Sequence, residues 1–210
     1  MLEVTNWFQT IELDKNQVCL ELKNISANIT LGTSVNSLIE VKLIKGYMNP
    51  SIVSRNNSIS ITNAVGCFDL EINVPAAFDL IVSNCKNITT KRYFKNILLG
   101  SYPLNTYQFV GAGVGKLSCI INGTNKVSFD EVYSLSAKIA DSSVLQINND
   151  TATAKVHTAD YSECMIGNIG ENLSIVADDH SFFELDNLNG FLINSIQNDF
   201  SKIDIKTINL

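Results

Sequence analysis

Apolar and polar residues alternate with a period of two along most of the chain. Cys19, Leu20 and Leu22 form one such run, and Leu38, Ile39, Val41, Leu43 and Ile44 another. Ile59 and Ile61, then Leu70, Ile72 and Val74, then Leu80 and Val82 continue it, and Ile203 and Ile205 close it. These runs are short, rich in β-branched residues and broken by Asn, Gly, Ser and Asp, as expected of half-buried strands between turns. Only 131–140 offers a weak helical alternative. The pattern predicts an all-β protein.

The second half repeats. Leu117, Leu135, Ala154, Leu173 and Leu192 follow at intervals of 18, 19, 19 and 19 residues. Six positions on stand Gly123, Asp141, Asp160, Asp179 and Asn198, residue types that tolerate left-handed backbone in turns. Two further on stand Asn125, Ser143, Ser162, Ser181 and Phe200. Three columns in phase mark a repeating coil. Nineteen residues at about 3.3 Å each trace a path of roughly 60 Å, one turn of a β-helix. The prediction is a single-stranded, right-handed parallel β-helix, a β-solenoid with coils of about 19 residues. Leu135, Ile147, Leu173 and Leu185 fall at inward positions. The competing architecture is a β-sandwich. One domain over 1–210 is expected, with an irregular seam or loop around 91–115. Tyr93, Tyr102, Tyr107 and Pro103 lie there, with the run Gly111-Ala112-Gly113-Val114-Gly115.

Composition fits this architecture. Charged residues are only 17% of the 210, and asparagine supplies much of the polar surface. Stacked coils bring equivalent side chains close together, where like charges would repel. The net charge of −6 argues against a nucleic-acid binder and against attraction to an anionic membrane surface. No apolar run reaches the length of a membrane span. The five cysteines include no CxxC pair, so they read as small buried hydrophobes in a reducing compartment. A Cys67–Cys85 disulfide is the alternative. The N-terminus lacks the charge and apolar pattern of a signal peptide, so the chain as written is cytoplasmic. Had a signal been removed, it would be periplasmic or on the cell surface. Frequent Asn-x-Ser/Thr triplets in an asparagine-rich chain point to a bacterial, unglycosylated protein.

Several segments resemble a known family. Glu71-Ile72-Asn73-Val74-Pro75 followed by Phe78-Asp79-Leu80-Ile81-Val82 resembles two strands leading into repetitive coils. Gly111 to Leu117 is similar to the glycine-rich start of such a coil. Asn172 to Val176, with Ser181 and Leu185-Asp186-Asn187-Leu188, looks like a later one. Trp7 to Ile11 and on to Val18 fits the usual opening. The family is that of the auto-transporter adhesin head GIN domains of bacteria. The resemblance spans nearly the whole chain and implies a β-solenoid without known catalysis.

Few residues carry candidate chemistry. Asp141, Asp160 and Asp179 would stack along one edge, where carboxylates could hold calcium or act as a glycosidase pair; a solvated turn ladder is the plainer reading. His157 and His180 are the only histidines, and the register stacks His180 on Tyr161 rather than on His157. No G-x-S-x-G and no phosphate loop occurs. Lys91-Arg92-Tyr93-Phe94-Lys95 interleaves basic and aromatic residues, which could stack on sugars or bases. Tyr93, Tyr102 and Tyr107 are the candidate ligand contacts. No cofactor is expected. The reading is a non-catalytic structural or interaction module, adhesin-like, binding protein or glycan through its faces. A carbohydrate-active enzyme on a β-helix and a self-polymerising, bactofilin-like scaffold are the alternatives. Weak self-association through the C-terminal edge is expected, because a solenoid ends in unpaired strands.

Overall fold

The computed structural model describes residues 7–13, 18–35, 38–55, 57–62, 66–75, 78–100 and 108–209. The alternating pattern becomes parallel strands wound as a β-solenoid of about six turns. The regular coils are built by β7 (Asp79–Gly100), β8 (Gln108–Ile121), β9 (Lys126–Ile139), β10 (Val144–Thr158) and β11 (Glu163–Ala177). These pair in chain order, each parallel to the next. Parallel stacking puts each residue beside its equivalent one coil on, so Leu117, Leu135, Ala154 and Leu173 align as the spacing predicted. Leu135, Ile147, Leu173 and Leu185 all point into the core. The stretch 131–140 is strand, not helix, through Ile139.

The N-terminal end is built differently. β2 (Cys19–Thr33) lies against β7 on one side. On its other side it pairs in parallel with β5 (Ser58–Thr62) and β6 (Cys67–Val74). β3 (Leu38–Gly46) then adds antiparallel to β6, and β1 (Trp7–Glu12) antiparallel to β3. β4 (Ser51–Ser54) adds antiparallel to β5. Trp7 packs partly buried on the core while Phe8 stays exposed. This end is therefore closed by antiparallel strands.

At the other end, β12 (Phe182–Leu188) and β13 (Phe191–Gln197) continue two faces of β11, and β14 (Lys202–Ile208) follows β12. The last coil is one residue longer than the repeat. A bulge between Leu192 and Asn194 lengthens the offset from 19 to 20. The turn columns therefore end on Asp199 and Ser201, not on Asn198 and Phe200. Asp199 shares the left-handed backbone of Asp141, Asp160 and Asp179, with φ of 52°, 60°, 57° and 54° respectively.

Of 91–115, the residues up to Gly100 belong to β7 and those from Gln108 to β8, with a register shift between Thr90 and Tyr93. Tyr102 and Tyr107 lie outside the described residues. All five cysteines are free thiols and four are buried, with no disulfide between Cys67 and Cys85.

Candidate functional site

The aspartate column is made by turn chemistry. Each Asp takes the left-handed position after Ala140, Ala159 or Asp178, and the serine two residues on closes the turn by donating its N–H to that preceding residue. Asp tolerates this backbone better than most residues. The carboxylates turn back along the axis. Asp141 Oδ2 accepts from Gly123 N at 2.7 Å, and Asp160 Oδ2 accepts from Asp141 N at 3.3 Å. The serine column is buried and laces the coils together: Ser143 donates to Gly123 O, Ser162 to Ile139 O and Ser201 to Ala177 O. Among the described residues, no group of three or more His, Cys, Asp and Glu side chains is placed to hold a metal ion.

The histidines are separate. His157 Nε2 lies 2.6 Å from Asp178 Oδ2. Asn198 donates to the other oxygen of Asp178 and, with His157, holds that carboxyl below the usual carboxylate range. His180 is stacked between Tyr161 and Phe200, with ring centroids 5.1 and 5.0 Å apart. The register expectation for Tyr161 and His180 thus holds, and Phe200 extends the stack.

The basic and aromatic segment sorts itself by strand alternation. Arg92 and Phe94 face inward, and Lys91, Tyr93 and Lys95 face out. Arg92 donates to Val74 O at 2.7 Å and to Pro75 O at 3.0 Å, with its guanidinium 4.2 Å above the Phe94 ring. It is a strut, not part of a basic patch.

Tyr93 opens a groove of about 330 Å³. Its position depends on two glycines. A Cβ on Gly113 would come within 3.0 Å of the Tyr93 ring, and one on Gly115 within 3.1 Å of its hydroxyl. Bare backbone on β8 thus lets the Tyr93 side chain lie across that strand towards β9. There the groove takes in Glu131 and Tyr133, then Asp150, Thr151 and Ala152 of β10, then Asn168 and Gly170 of β11, and Asn189 beyond β12. Beyond the Tyr93 ring it runs from β9 to Asn189, three coil steps or roughly 14 Å at about 4.8 Å per strand. Its wall is a hydrogen-bonded ladder: Asn187 donates to Asn168 at 2.8 Å, and Asn168 to Asp150 at 2.9 Å. Register shifts in β10 between Ile147 and Thr153 make this corner. Thr151, 2% exposed, lines the groove, and its Oγ1 has no hydrogen-bond partner among the described residues.

Of the sequence candidates among the described residues, Tyr93 alone belongs to this groove. Asp141, Asp160 and Asp179 lie in the turn column. Glu131, Tyr133, Asp150, Asn168 and Asn189 went unnoticed, although Glu131 and Asp150 stand one coil apart in the repeat.

No protein-family model matches the chain. No curated protein matches it either. Solved structures do. A candidate adhesin from Parabacteroides merdae superposes with a TM-score of 0.65 at 10% identity, over 96% of each chain. A candidate adhesin from Bacteroides fragilis gives 0.64 at 8% identity, over 97% of each. A candidate lipid binding protein from Parabacteroides distasonis gives 0.56 at 11% identity, over 96% of each. Membership in the head GIN family is not carried by any family model; what these likenesses establish is a β-solenoid shared from end to end.

Proposed function

We propose that this chain is a non-catalytic, adhesin-like interaction module that binds protein or glycan partners through its outer surface. The observation that carries this reading is the end-to-end likeness to two candidate adhesins. The described residues add to it, because their polar side chains are used to lace coils together rather than to converge on a reacting atom. Adhesion entails display outside the cell, one of the two placements set out above. The test is attachment of protein-coated beads to mucin-coated and bacterium-coated surfaces, with fractionation of the producing cells. Specific attachment and a surface fraction support the reading. Beads that stay free on both surfaces, or a purely cytosolic protein, would sink it.

A carbohydrate-active enzyme is the second reading, because Glu131 and Asp150 share a groove with Tyr93 and Tyr133. Both carboxylates are exposed. They lack the dry, enclosed surroundings of a glycosidase cleft. Release of reducing ends from a polysaccharide panel would reverse this judgement.

Exposed apolar residues on β13, Phe191 at 72% and Ile193 at 68%, support weak self-association through the C-terminal edge as part of this reading. Sedimentation of the wild type against a Phe191→Lys, Ile193→Lys variant tests this. A weak dimer lost in the variant supports it, and a monomer at high concentration refutes it.

A further inference from the structure

We infer that the groove running from Tyr93 to Asn189 is a binding site for a neutral, linear glycan chain laid along the solenoid axis. The inference rests on the interaction-module reading and adds the ligand class and the residues.

The chemistry of the lining selects the class. Tyr93 and Tyr133 are 51% and 63% exposed in the same groove. An exposed tyrosine offers an apolar ring face with a polar tip, which suits the C–H faces and hydroxyls of a sugar. Asp150, Asn168 and Asn189 supply carboxylate and amide groups along the wall. Both sides of the amide ladder stay presented, since Asn168 accepts from Asn187 while donating to Asp150. A sugar chain presents hydroxyls that both donate and accept, and this wall can meet them in either sense.

Charge narrows the class. Among the described residues, the lining holds Glu131 and Asp150 and no lysine or arginine. Uronate, sulfate and phosphate polymers would meet two carboxylates with no cation in that lining to offset them, so a neutral chain is favoured. Shape narrows it further. The groove extends over several coils with Ala152 and Gly170 in its lining, a shape that suits an extended chain.

Affinity gel electrophoresis of the full chain provides the test. The probes are soluble neutral polymers, namely laminarin, hydroxyethyl cellulose, glucomannan and dextran, with polygalacturonate and heparin as anionic counterparts. Retention by at least one neutral polymer and none by the anionic ones is expected. Tyr93→Ala and Tyr133→Ala should each weaken retention roughly tenfold, while Tyr133→Phe keeps most of it. Both tyrosines are exposed, so thermal melts of the variants should match the wild type. No retention by any neutral polymer, a preference for the anionic ones, or wild-type retention by Tyr93→Ala and Tyr133→Ala would overturn the proposal. If bead attachment persists in both alanine variants while glycan retention is absent, the groove assignment falls and the adhesin reading stands. If attachment is absent while glycan retention behaves as expected, the reverse holds.

Discussion

Gly111 faces the core where two large rings meet. Phe109 and Phe129 stack with centroids 5.1 Å apart and an interplanar angle of 31°. A Cβ on Gly111 would stand 2.4 Å from Phe129 Cε1, 2.6 Å from Cδ1 and 3.1 Å from Phe109 Cε1. Carbon atoms prefer separations of about 3.5–4.0 Å, so the Phe129 ring would have to retreat by about 1 Å. Both rings are buried, and close-packed interiors leave little room for that. Overpacking of this kind costs about 1–3 kcal/mol. Gly111→Ala should therefore lower stability by about 2 kcal/mol, or Tm by about 4–8 °C for a chain of this length. Phe129→Leu alone removes ring carbons from the core and should cost about 1–2 kcal/mol. In the double variant the new methyl fills space vacated by the ring, so the two losses should not add. Thermal and urea denaturation of all four proteins gives the coupling energy. Strict additivity, or a Gly111→Ala protein as stable as the wild type, would refute the packing account.

Other consequences can be checked in the same way. Asp160 has φ of 57°, so Asp160→Ala should destabilise by about 1 kcal/mol, while Asp160→Gly keeps the backbone and loses less; urea melts that rank Ala above Gly would contradict the turn geometry. Because Asp141 and Asp160 already accept from backbone amides, millimolar calcium should leave Tm unchanged; a rise of several degrees would show that the carboxylates leave their amides for the ion. Burial pushes the Cys85 and Cys119 thiols up to about 12, and burial with the nearby Glu21 and Asp79 charges pushes Cys19 to about 11. These thiols stay protonated in the fold after the unfolded chain has lost its protons. Their contribution is thus intact below about pH 8.5 and lost as pH rises from there towards 12. A native protein whose thiols react with Ellman's reagent at pH 8 as fast as those of the unfolded chain would contradict this burial.

The repeat was legible where stacking makes the sequence periodic. Inward aliphatics recur because each touches its equivalent one coil away, and the Asp and Ser of every turn recur because the turn needs both. One bulge at Ile193 shifted the last column by a residue, and a spacing count cannot see a bulge. The groove was less legible for a different reason. Tyr93 and Tyr133 come from strands two coils apart, and they share a groove only because Gly113 and Gly115 leave β8 bare between Tyr93 and β9. In sequence the glycine run reads as the start of a coil or a seam. Its outward job, leaving space for one tyrosine, shows only when neighbouring strands are in register. The antiparallel strands of the N-terminal end alternate just like the parallel ones, so alternation could not tell the two apart.

The two ends of the solenoid bear on polymerisation. A filament grown by continuing the parallel ladder needs a parallel strand edge at both ends, so that one end of a copy can receive the other. The outer strands of the N-terminal end, β1 and β4, run antiparallel to their neighbours, which interrupts the ladder. At the C-terminal end, Ser195 and Gln197 occupy the positions that Ile175 and Ala177 fill one coil earlier. Polar groups thus replace apolar ones at two positions of the core's mouth, while Leu192, Ile203 and Ile205 continue its other apolar columns. Gln197 Oε1 also accepts the backbone N–H of Ile203 at 3.2 Å, which occupies a donor on the last strand. Edge strands that are interrupted, made polar or partly satisfied are poor templates for another chain. The purified protein should therefore form no filaments in negative-stain electron microscopy at any concentration it tolerates. A Gln197→Leu variant, which restores an apolar position and frees that donor, should associate more strongly in sedimentation than the wild type. Wild-type filaments with a cross-β repeat of about 4.8 Å along their axis would refute this and restore the self-polymerising scaffold.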